Sequence, residues 1–374
     1  MHWTRKFARS LLLLIPALAL AMPAFAAARD TRLSDSQEAG SVIVFPKFMK
    51  GTVTTPEGST APMTELEIAI VCPVGDTCPE HRQVKMRFHW VCPGFQTFDS
   101  KLICREQDFD VIGSVYEKLV LVPNGAGTSD GVGTRFVPPP PCNFGYLIGW
   151  VIDTSDRPIK FDGLIGDAVL RVSGTSVASY SAIPIQADPN LASRALITLV
   201  NDSRHLPGTL AFDGGAGHYQ AVTGRIVGDV RYSNTSATAT TNTISYLTLL
   251  TLDTISNRPN FPTFVNLWFA GGFNSAIGVE NVLSTFTEFV CWGEPRIDTA
   301  IDPALITAFM GRKGVVISGL AEKVAYAGIT DTAGPVTLLG LIETIEGPPG
   351  NPLARYIITG VSNDSKPVGT EFEP

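Results

Sequence analysis

The stretch VKMRFHWVC (84–92) decides the fold class of this chain. Every second residue from Val84 to Cys92 is apolar, and three of the positions between them carry basic side chains. A period of two is that of a β-strand with one buried and one exposed face. The stretch LEIAIVC (66–72) repeats the pattern. The short loop 73–82 between the two stretches predicts that they form a hairpin.

Strand-length apolar segments continue along the rest of the chain and are separated by turn residues such as Asp162-Gly163. These segments are Val42–Phe45, Val115–Val122, Phe144–Ile152, Ala168–Ser173, Ser179–Gln186, Leu196–Val200, Arg225–Tyr232, Ile244–Leu252, Thr263–Phe269, Phe286–Trp292, Val315–Ser318, Val336–Ile345 and Tyr356–Val361. Helical periodicity is scarce, and Pro303–Met310, with Asp302 as its cap, is the best short helix. The pattern predicts an all-β fold of antiparallel sandwiches, immunoglobulin-like or jelly-roll-like.

The first 26 residues predict an export signal. A basic start with Arg5, Lys6 and Arg9 precedes the apolar run LLLLIPALALAM (11–22), and Ala24-Phe25-Ala26 supplies the small-x-small pattern of a cleavage site. The run is shorter than the roughly 20 residues that a membrane-spanning helix needs. We therefore expect cleavage after Ala26 and a protein of the extracellular space or cell surface, with the periplasm as the alternative.

The length of the chain after Ala26 predicts two domains, since it exceeds the size that one hydrophobic core usually supports. The segment ADPNLAS (187–193) follows a completed strand and is the expected connector. The sequence thus predicts a signal peptide at 1–26 and two β-sandwich domains at 27–188 and 189–374.

The charge of the chain excludes two classes of partner. The export segment has three of the 28 Lys and Arg residues and none of the 35 Asp and Glu residues, which leaves a net charge of −10. Nucleic acids and anionic membrane surfaces are negative themselves, so we expect neither as a partner. No stretch of 18 apolar residues follows Ala26, so we also expect no membrane span.

The cysteines point to disulfide bonds, because their number is even and the protein is expected to be exported. Two short bridges and one long one are the pairing that we expect from the spacing, namely Cys72–Cys78, Cys92–Cys104 and Cys142–Cys291. Zinc is the alternative, since Cys78-x2-His81 and His89-x2-Cys92 have ligand spacing. An oxidising compartment favours disulfides, and we expect no metal and no other cofactor.

Several short patterns are compatible with catalysis, but each also has a structural interpretation. GTSDG (127–131) matches a nucleophile elbow, yet it lies in a glycine-rich loop without the strand and helix that this motif needs. None of the histidines at 81, 89, 205 and 218 stands beside a nucleophile in the sequence. We therefore expect the loop to be flexible and the histidines to be surface or turn residues.

Carboxylates and aromatic residues supply the remaining candidates. Glycoside hydrolysis needs two facing carboxylates, and DTSD (153–156) is the densest oxygen cluster for calcium. The aromatic segment PNFPTFVNLWF (259–269) could form a glycan-binding face, although such residues also build sandwich cores. The carboxylate pairs that could serve hydrolysis are Asp108/Asp110, Asp162/Asp167 and Asp298/Asp302.

Seven segments of the chain together carry a resemblance to known sequences. They are GSVIVFPKF (40–48), CNFGYLIGWVIDTSDRPIKFDGLIGDAVLR (142–171), YSAIPIQAD (180–188), LTLLTLD (247–253), PNFPTFVNLWF (259–269), TEFVCW (287–292) and PVTLLGLIE (335–343). Through these segments, which occur in the same order over nearly the whole chain after the export signal, the chain resembles a family of exported bacterial β-rich proteins with no known activity. The resemblance implies an exported β-rich protein and brings no catalytic residue or cofactor.

The sequence therefore favours an exported structural or binding protein over an enzyme. An adhesin or a subunit of a surface assembly is the leading expectation, with self-assembly or a surface protein or glycan as the partner. A secreted hydrolase acting on polysaccharide through paired carboxylates is the alternative, and a periplasmic binder of small ligands is a third interpretation. Val42–Phe45 could pair within its own domain or with a neighbouring molecule, and we expect self-pairing.

Mass spectrometry of the exported protein tests the predicted signal. The mature N-terminus should be at or next to Ala27, because the small residues at 24 and 26 form the cleavage pattern. An intact Met1 in exported material would show that this prediction is wrong.

Overall fold

The computed structural model describes a chain built from β-strands. Arg32–Pro374 forms one compact unit. The regular elements of the described residues are all strands, and the strands within each sheet pair antiparallel, which confirms the predicted fold class. No helix of this part of the chain is long and apolar enough to cross a membrane. The described residues are 33–35, 37–96, 102–125, 128–129, 134–135, 137–200, 208–223, 225–232, 242–252, 263–274, 279–296, 315–326, 338–347, 355–360, 362–363, 367–368 and 370–372.

The strands fall into two groups along the chain. The first group is β1 (Val42–Met49), β2 (Thr52–Thr54), β3 (Thr60–Pro62), β4 (Thr64–Ile70), β5 (Gln83–Val91), β6 (Phe95–Gln96), β7 (Leu102–Ile103), β8 (Glu106–Ser114), β9 (Lys118–Leu121), β10 (Thr128–Ser129), β11 (Thr134–Arg135), β12 (Phe144–Ile152), β13 (Leu164–Arg171), β14 (Val177–Ser181) and β15 (Ile183–Ile185). The second is β16 (Leu210–Phe212), β17 (Val222–Thr223), β18 (Arg225–Tyr232), β19 (Asn242–Leu250), β20 (Thr263–Asn274), β21 (Val279–Phe289), β22 (Trp292–Gly293), β23 (Val315–Tyr326), β24 (Leu339–Gly347), β25 (Arg355–Gly360), β26 (Ser362–Asn363), β27 (Pro367–Val368) and β28 (Thr370–Phe372).

Two sheets of the first group enclose a common core. One sheet has five strands in the order β15-β1-β12-β5-β8, and the other has four in the order β14-β13-β4-β9. Apolar side chains of both sheets meet between them, including Phe45 and Phe88 from the first sheet and Ile68, Leu119 and Leu170 from the second. Two antiparallel sheets with their inner faces packed in this way form a β-sandwich.

The predicted hairpin between the two alternating stretches is wrong. β4 lies in the four-stranded sheet between β13 and β9, whereas β5 lies in the five-stranded sheet between β12 and β8. The loop 73–82 therefore crosses from one sheet to the other. Both strands alternate because each turns an apolar face to the same core from opposite sides, and periodicity cannot distinguish this arrangement from direct pairing.

β1 and β12 are buried on both faces. All eight residues of β1 and all but the first residue of β12 are buried. Val44 and Ile148 face away from the sandwich core into a second core, where they meet Phe212, Leu250 and Trp292. β1 pairs with β12 on one side and with β15 on the other, so Val42–Phe45 pairs within its own chain.

The later strands form a second pair of sheets. One has the order β21-β20-β23-β18-β26 and the other the order β22-β19-β24-β25. Leu341 of β24 and Tyr356 of β25 pack into the sandwich core of the first group. The two pairs of sheets use residues 42–185 and 225–363, and the domain boundary near residue 188 stays a prediction.

Three disulfides join the cysteines, and two of them differ from the expected pairing. Cys72–Cys78 closes the loop between β4 and β5, as expected. The predicted pairs Cys92–Cys104 and Cys142–Cys291 are wrong, because the structure pairs Cys92 with Cys142 and Cys104 with Cys291. β5 and β12 are neighbours in one sheet, and this places their flanking cysteines 5.9 Å apart between Cα atoms. Strand pairing therefore decides the partner, not distance along the chain.

Two further predicted elements, a strand and a helix, are not found as predicted among the described residues. The segment 196–200, predicted as a strand, makes only isolated bridges, Ile159 with Leu196 and Val200 with Thr209. The predicted helix at 303–310 lies outside the described residues.

Replacing an inward residue and its outward neighbour on β4 tests the sandwich core. Ile68→Ala should lower the free energy of unfolding by about 2–5 kcal/mol, because it leaves a cavity in a buried core. Glu67→Ala, the matched control, removes a surface ion pair with Lys118 and should cost less than about 1 kcal/mol. Urea unfolding of the two variants measures both values, and equal losses would contradict the two-sheet core.

Candidate functional site

The structure gives three of the four described carboxylates of the predicted pairs, Asp110, Asp162 and Asp167, a structural partner. On β8, Asp110 accepts a hydrogen bond from Arg87 Nε at 2.9 Å, and Lys85 Nζ lies 3.0 Å from its other oxygen. Burial opposes ionisation of Asp110, but these two cations outweigh it and lower the pKa of Asp110. Its predicted partner Asp108 lies across from His89 in the strand register. Asp110 is thus held in a ladder of ion pairs between two neighbouring strands.

The two carboxylates of the second predicted pair, Asp162 and Asp167, bind different partners. Asp162 is mostly buried and accepts hydrogen bonds from the Ser41 hydroxyl at 2.6 Å and from Ala187 N at 2.9 Å, so it ties three segments together. Burial raises the pKa of Asp162. Asp167 on β13 instead accepts a hydrogen bond from the Ser181 hydroxyl on β14 at 2.9 Å. The third pair, Asp298/Asp302, lies outside the described residues.

The histidines that the structure describes and the loop motif at 127–131 lie in different parts of the chain's fold and have different neighbours. His89 is buried in β5, so the expectation of a surface or turn residue is wrong for it, and its ring stacks on Trp150 with centroids 4.9 Å apart. His218 lies 2.8 Å from Asp213. His81 is exposed in the loop between β4 and β5, after the ring closed by Cys72–Cys78, and His205 lies outside the described residues. Of the loop motif, Thr128–Ser129 is described as strand β10, and Gly127, Asp130 and Gly131 fall outside the described part, as do the side chains of the aromatic segment 259–269.

The residues considered as zinc or calcium ligands form disulfides or hydrogen bonds within the protein. Cys78 and Cys92 are both in disulfides, so the zinc interpretation is wrong. The Asp153 carboxylate accepts hydrogen bonds from the backbone N–H groups of Ser155 and Arg157 at 2.8 and 2.9 Å and so stabilises its own turn. In the part of the chain that the structure describes, no group of three or more His, Cys, Asp or Glu side chains could hold a metal ion.

The most unusual chemistry lies where the two groups of strands meet, in a buried cluster centred on Lys47. The Lys47 Nζ donates to Glu343 Oε2 at 2.6 Å and to Glu294 Oε1. The Tyr356 hydroxyl donates to Glu343 Oε1, and the Thr248 hydroxyl donates to Glu343 Oε2 at 3.1 Å. The Lys47 and Glu343 side chains are 5% and 3% exposed, while Glu294 is 21% exposed and lies nearest to solvent.

The strand containing Lys47 is shaped to hold this side chain. Phe45 and Phe48, three residues apart, both face the sandwich core, because the pairing of β1 with β12 shifts between them. Such a bulge changes the direction of the side chains within it. The Tyr180 hydroxyl donates to the Lys47 carbonyl and accepts from Lys47 N at 3.2 Å, and Trp292 Nε1 donates to the Pro46 carbonyl at 2.9 Å. The bulge is therefore hydrogen-bonded from both sides.

The cluster contains one cation and two carboxyl groups, and burial disfavours ionisation of both carboxyl groups together. Burial raises the pKa of Glu294 to about 8, and Lys47 offsets this only in part. Burial also opposes ionisation of Glu343, but Lys47 and the donated hydrogen bonds outweigh it and lower the pKa of Glu343. Burial lowers the pKa of Lys47, but the two carboxyl groups more than compensate and raise it. At neutral pH the resting cluster is Lys47 charged, Glu343 ionised and Glu294 protonated, with no net charge.

The sequence analysis missed this cluster, although a signal exists. Lys47 is the single charged residue in the apolar run VIVFPKFM, and Glu343 lies within the apolar run LGLIETIEG. A charge within a strand that is buried on both faces requires a buried partner. The sequence could not show which partner, because 296 residues separate Lys47 from Glu343.

Comparisons with known proteins do not assign a family or a function to this chain. The chain matches no protein-family profile, and no curated protein matches it. Among solved structures, the viral chemokine binding protein R17 encoded by rodent gammaherpesvirus Peru aligns with 88% of this chain and 88% of its own, at 8% sequence identity and a TM-score of 0.11. A similarity at this level supports no conclusion about fold or function.

Removing the cation tests the energetic role of the cluster. Lys47→Met should lower the free energy of unfolding by about 3–5 kcal/mol, because it leaves Glu343 buried without its counter-ion. Lys118→Met, the control, removes an exposed lysine paired with Glu67 and should cost less than about 1 kcal/mol. Urea unfolding measures both variants. Adding Glu343→Gln to Lys47→Met should restore part of the loss, and a double variant no more stable than the single one would contradict this account.

Proposed function

We propose that the chain is an exported structural or binding protein of the cell surface or extracellular space, as an adhesin or a subunit of a surface assembly. The observation that carries the proposal is the use of charged and sulfur-containing side chains to join distant segments. Cys104–Cys291 and the Lys47–Glu343 pair connect residues 187 and 296 positions apart. Three disulfides are compatible with an oxidising extracellular compartment.

The edge strand β8 supports a binding role. Among the described residues, β8 pairs on one side only, with β5, so its other side has backbone groups that a further strand could pair with. Ile112 on this strand is 40% exposed. Strand addition to such an edge obtains affinity from main-chain hydrogen bonds and specificity from the side chains of the edge. By contrast, β1 lies inside its sheet, which removes Val42–Phe45 as the element of exchange.

We infer that a second copy of this chain is the partner of β8, and light scattering of the mature protein tests this. The wild type should associate as its concentration rises. Ile112→Lys should shift association to at least about tenfold higher concentration, since charged residues on an edge oppose strand addition. Val177→Lys is the control, because Val177 is also exposed but lies on β14, in the other sheet.

Two outcomes would contradict the proposal. A wild type that stays monomeric at every concentration, or an equal effect of both lysine variants, would remove β8 as the site of assembly. Hydrolysis on a panel of polysaccharides that disappears in Asp110→Asn would favour the hydrolase instead.

A further inference from the structure

The buried cluster has the composition of a site for amide formation as well as for an ion pair. A lysine amine contacts two carboxyl groups, and the Lys47 Nζ and the Glu343 carboxylate are almost completely removed from solvent. In water, hydration of the charged forms prevents an amine and a carboxylic acid from condensing. Burial removes this hydration, although the contacts within the cluster keep Lys47 and Glu343 ionised at rest.

We propose that Lys47 and Glu294 become joined by an intramolecular amide bond, with Glu343 as the residue that moves the protons. The three side chains are already in contact, since Lys47 Nζ donates to both carboxyl groups. The contact of Lys47 with Glu294 brings the nucleophilic nitrogen next to the carboxyl carbon that it would attack, which replaces a bimolecular encounter by a fixed geometry.

The assignment of roles follows from the surroundings of each carboxyl group. Glu343 accepts hydrogen bonds from the Tyr356 and Thr248 hydroxyls in addition to Lys47, so it is held in place and is the ionised carboxylate that can receive a proton. Glu294 is the protonated carboxyl group of the resting cluster and therefore the better electrophile. Glu294 is also the most exposed of the three, which gives a leaving water molecule a route to solvent.

The reaction balances within the cluster. A proton passes from Lys47 Nζ to Glu343 across the 2.6 Å contact, and the cluster keeps zero net charge while all three groups become neutral. The amine lone pair then forms a bond to Cδ of Glu294. Glu343 donates its proton to the departing hydroxyl group of Glu294, so that the C–O bond breaks and water leaves, and Glu343 takes back one proton from the nitrogen. The products are an amide, one water molecule and the protonated Glu343, and nothing is oxidised or reduced.

Such a bond would join β1 of the first sandwich to the segment that follows β22, residues 247 positions apart. The disulfide Cys104–Cys291 joins nearly the same segment to the first group of strands. The amide would hold this connection under reducing conditions, when the disulfide is lost. The inference goes beyond the proposed function and is independent of assembly through β8.

Intact mass of the reduced and denatured mature protein tests the proposal. The wild type should be lighter than its sequence by one water molecule, and a digest should contain one branched peptide linking Lys47 to Glu294. Lys47→Arg and Glu343→Gln should have their full masses, because one lacks the nucleophile and the other lacks the proton acceptor. Glu346→Gln, on the same strand β24 as Glu343, is the matched control and should keep the linkage.

A further variant separates the two roles of the glutamates. In Glu294→Gln, ammonia rather than water would leave, and the linked product would have the same mass as linked wild type. Circular dichroism confirms that each variant is folded before its mass is interpreted.

A folded wild type with its full mass would overturn the proposal. The pH dependence of the free energy of unfolding provides an independent test. In the unlinked protein, burial raises the pKa of Glu294 from 4.5 to about 8. Folded protein then binds more protons than unfolded protein between these values, so its stability falls as pH rises through this range. A fall of this kind that is absent in Glu294→Gln would mean that Glu294 is a free acid and not an amide.

Discussion

The contact between Lys47 and Glu343 is the interaction on which the joining of the two groups of strands depends. Removing an ion from water costs several kcal/mol even after the protein relaxes, so each of the two charges requires the other. Lys47 belongs to β1 and Glu343 to β24, and removing either side chain alone would leave the other as an unpaired buried charge. The pair therefore restricts how β24 can pack against β1 of the first sandwich.

The double burial of β1 and β12 provides the space for this pair. A strand covered on one face only could keep a lysine at the surface, as β5 does with Lys85 and Arg87. In β1 neither face is free, because one side belongs to the sandwich core and the other to the core that contains Phe212 and Trp292. The bulge at Pro46 and Lys47 turns the side chain toward β24 without breaking the pairing of β1 with β12 on either side.

One of the three disulfides also joins the two groups of strands. Cys92–Cys142 fixes the ends of β5 and β12, which are already neighbours, and Cys104–Cys291 joins the strand region before β8 to the segment that leads to Glu294. Cys104–Cys291 and the Lys47–Glu343 pair thus both join the first group of strands to the second.

The sequence by itself determined the fold class, the half-buried strands and the oxidation of the cysteines. Alternation in 66–72 and 84–92 reflects local geometry, because the period of two follows from the backbone of a single strand. The cysteine count and the expected compartment likewise need no knowledge of contacts.

Only the tertiary structure decided which strands pair, which cysteines meet and where the charged cluster lies. β4 and β5 proved to face each other across a core, and Cys92 found Cys142 through strand pairing. The physical reason is the same in each case, since a contact between residues 50 or 296 positions apart depends on how complete sheets pack. The alternation of one strand reports that a face is buried but not what covers it.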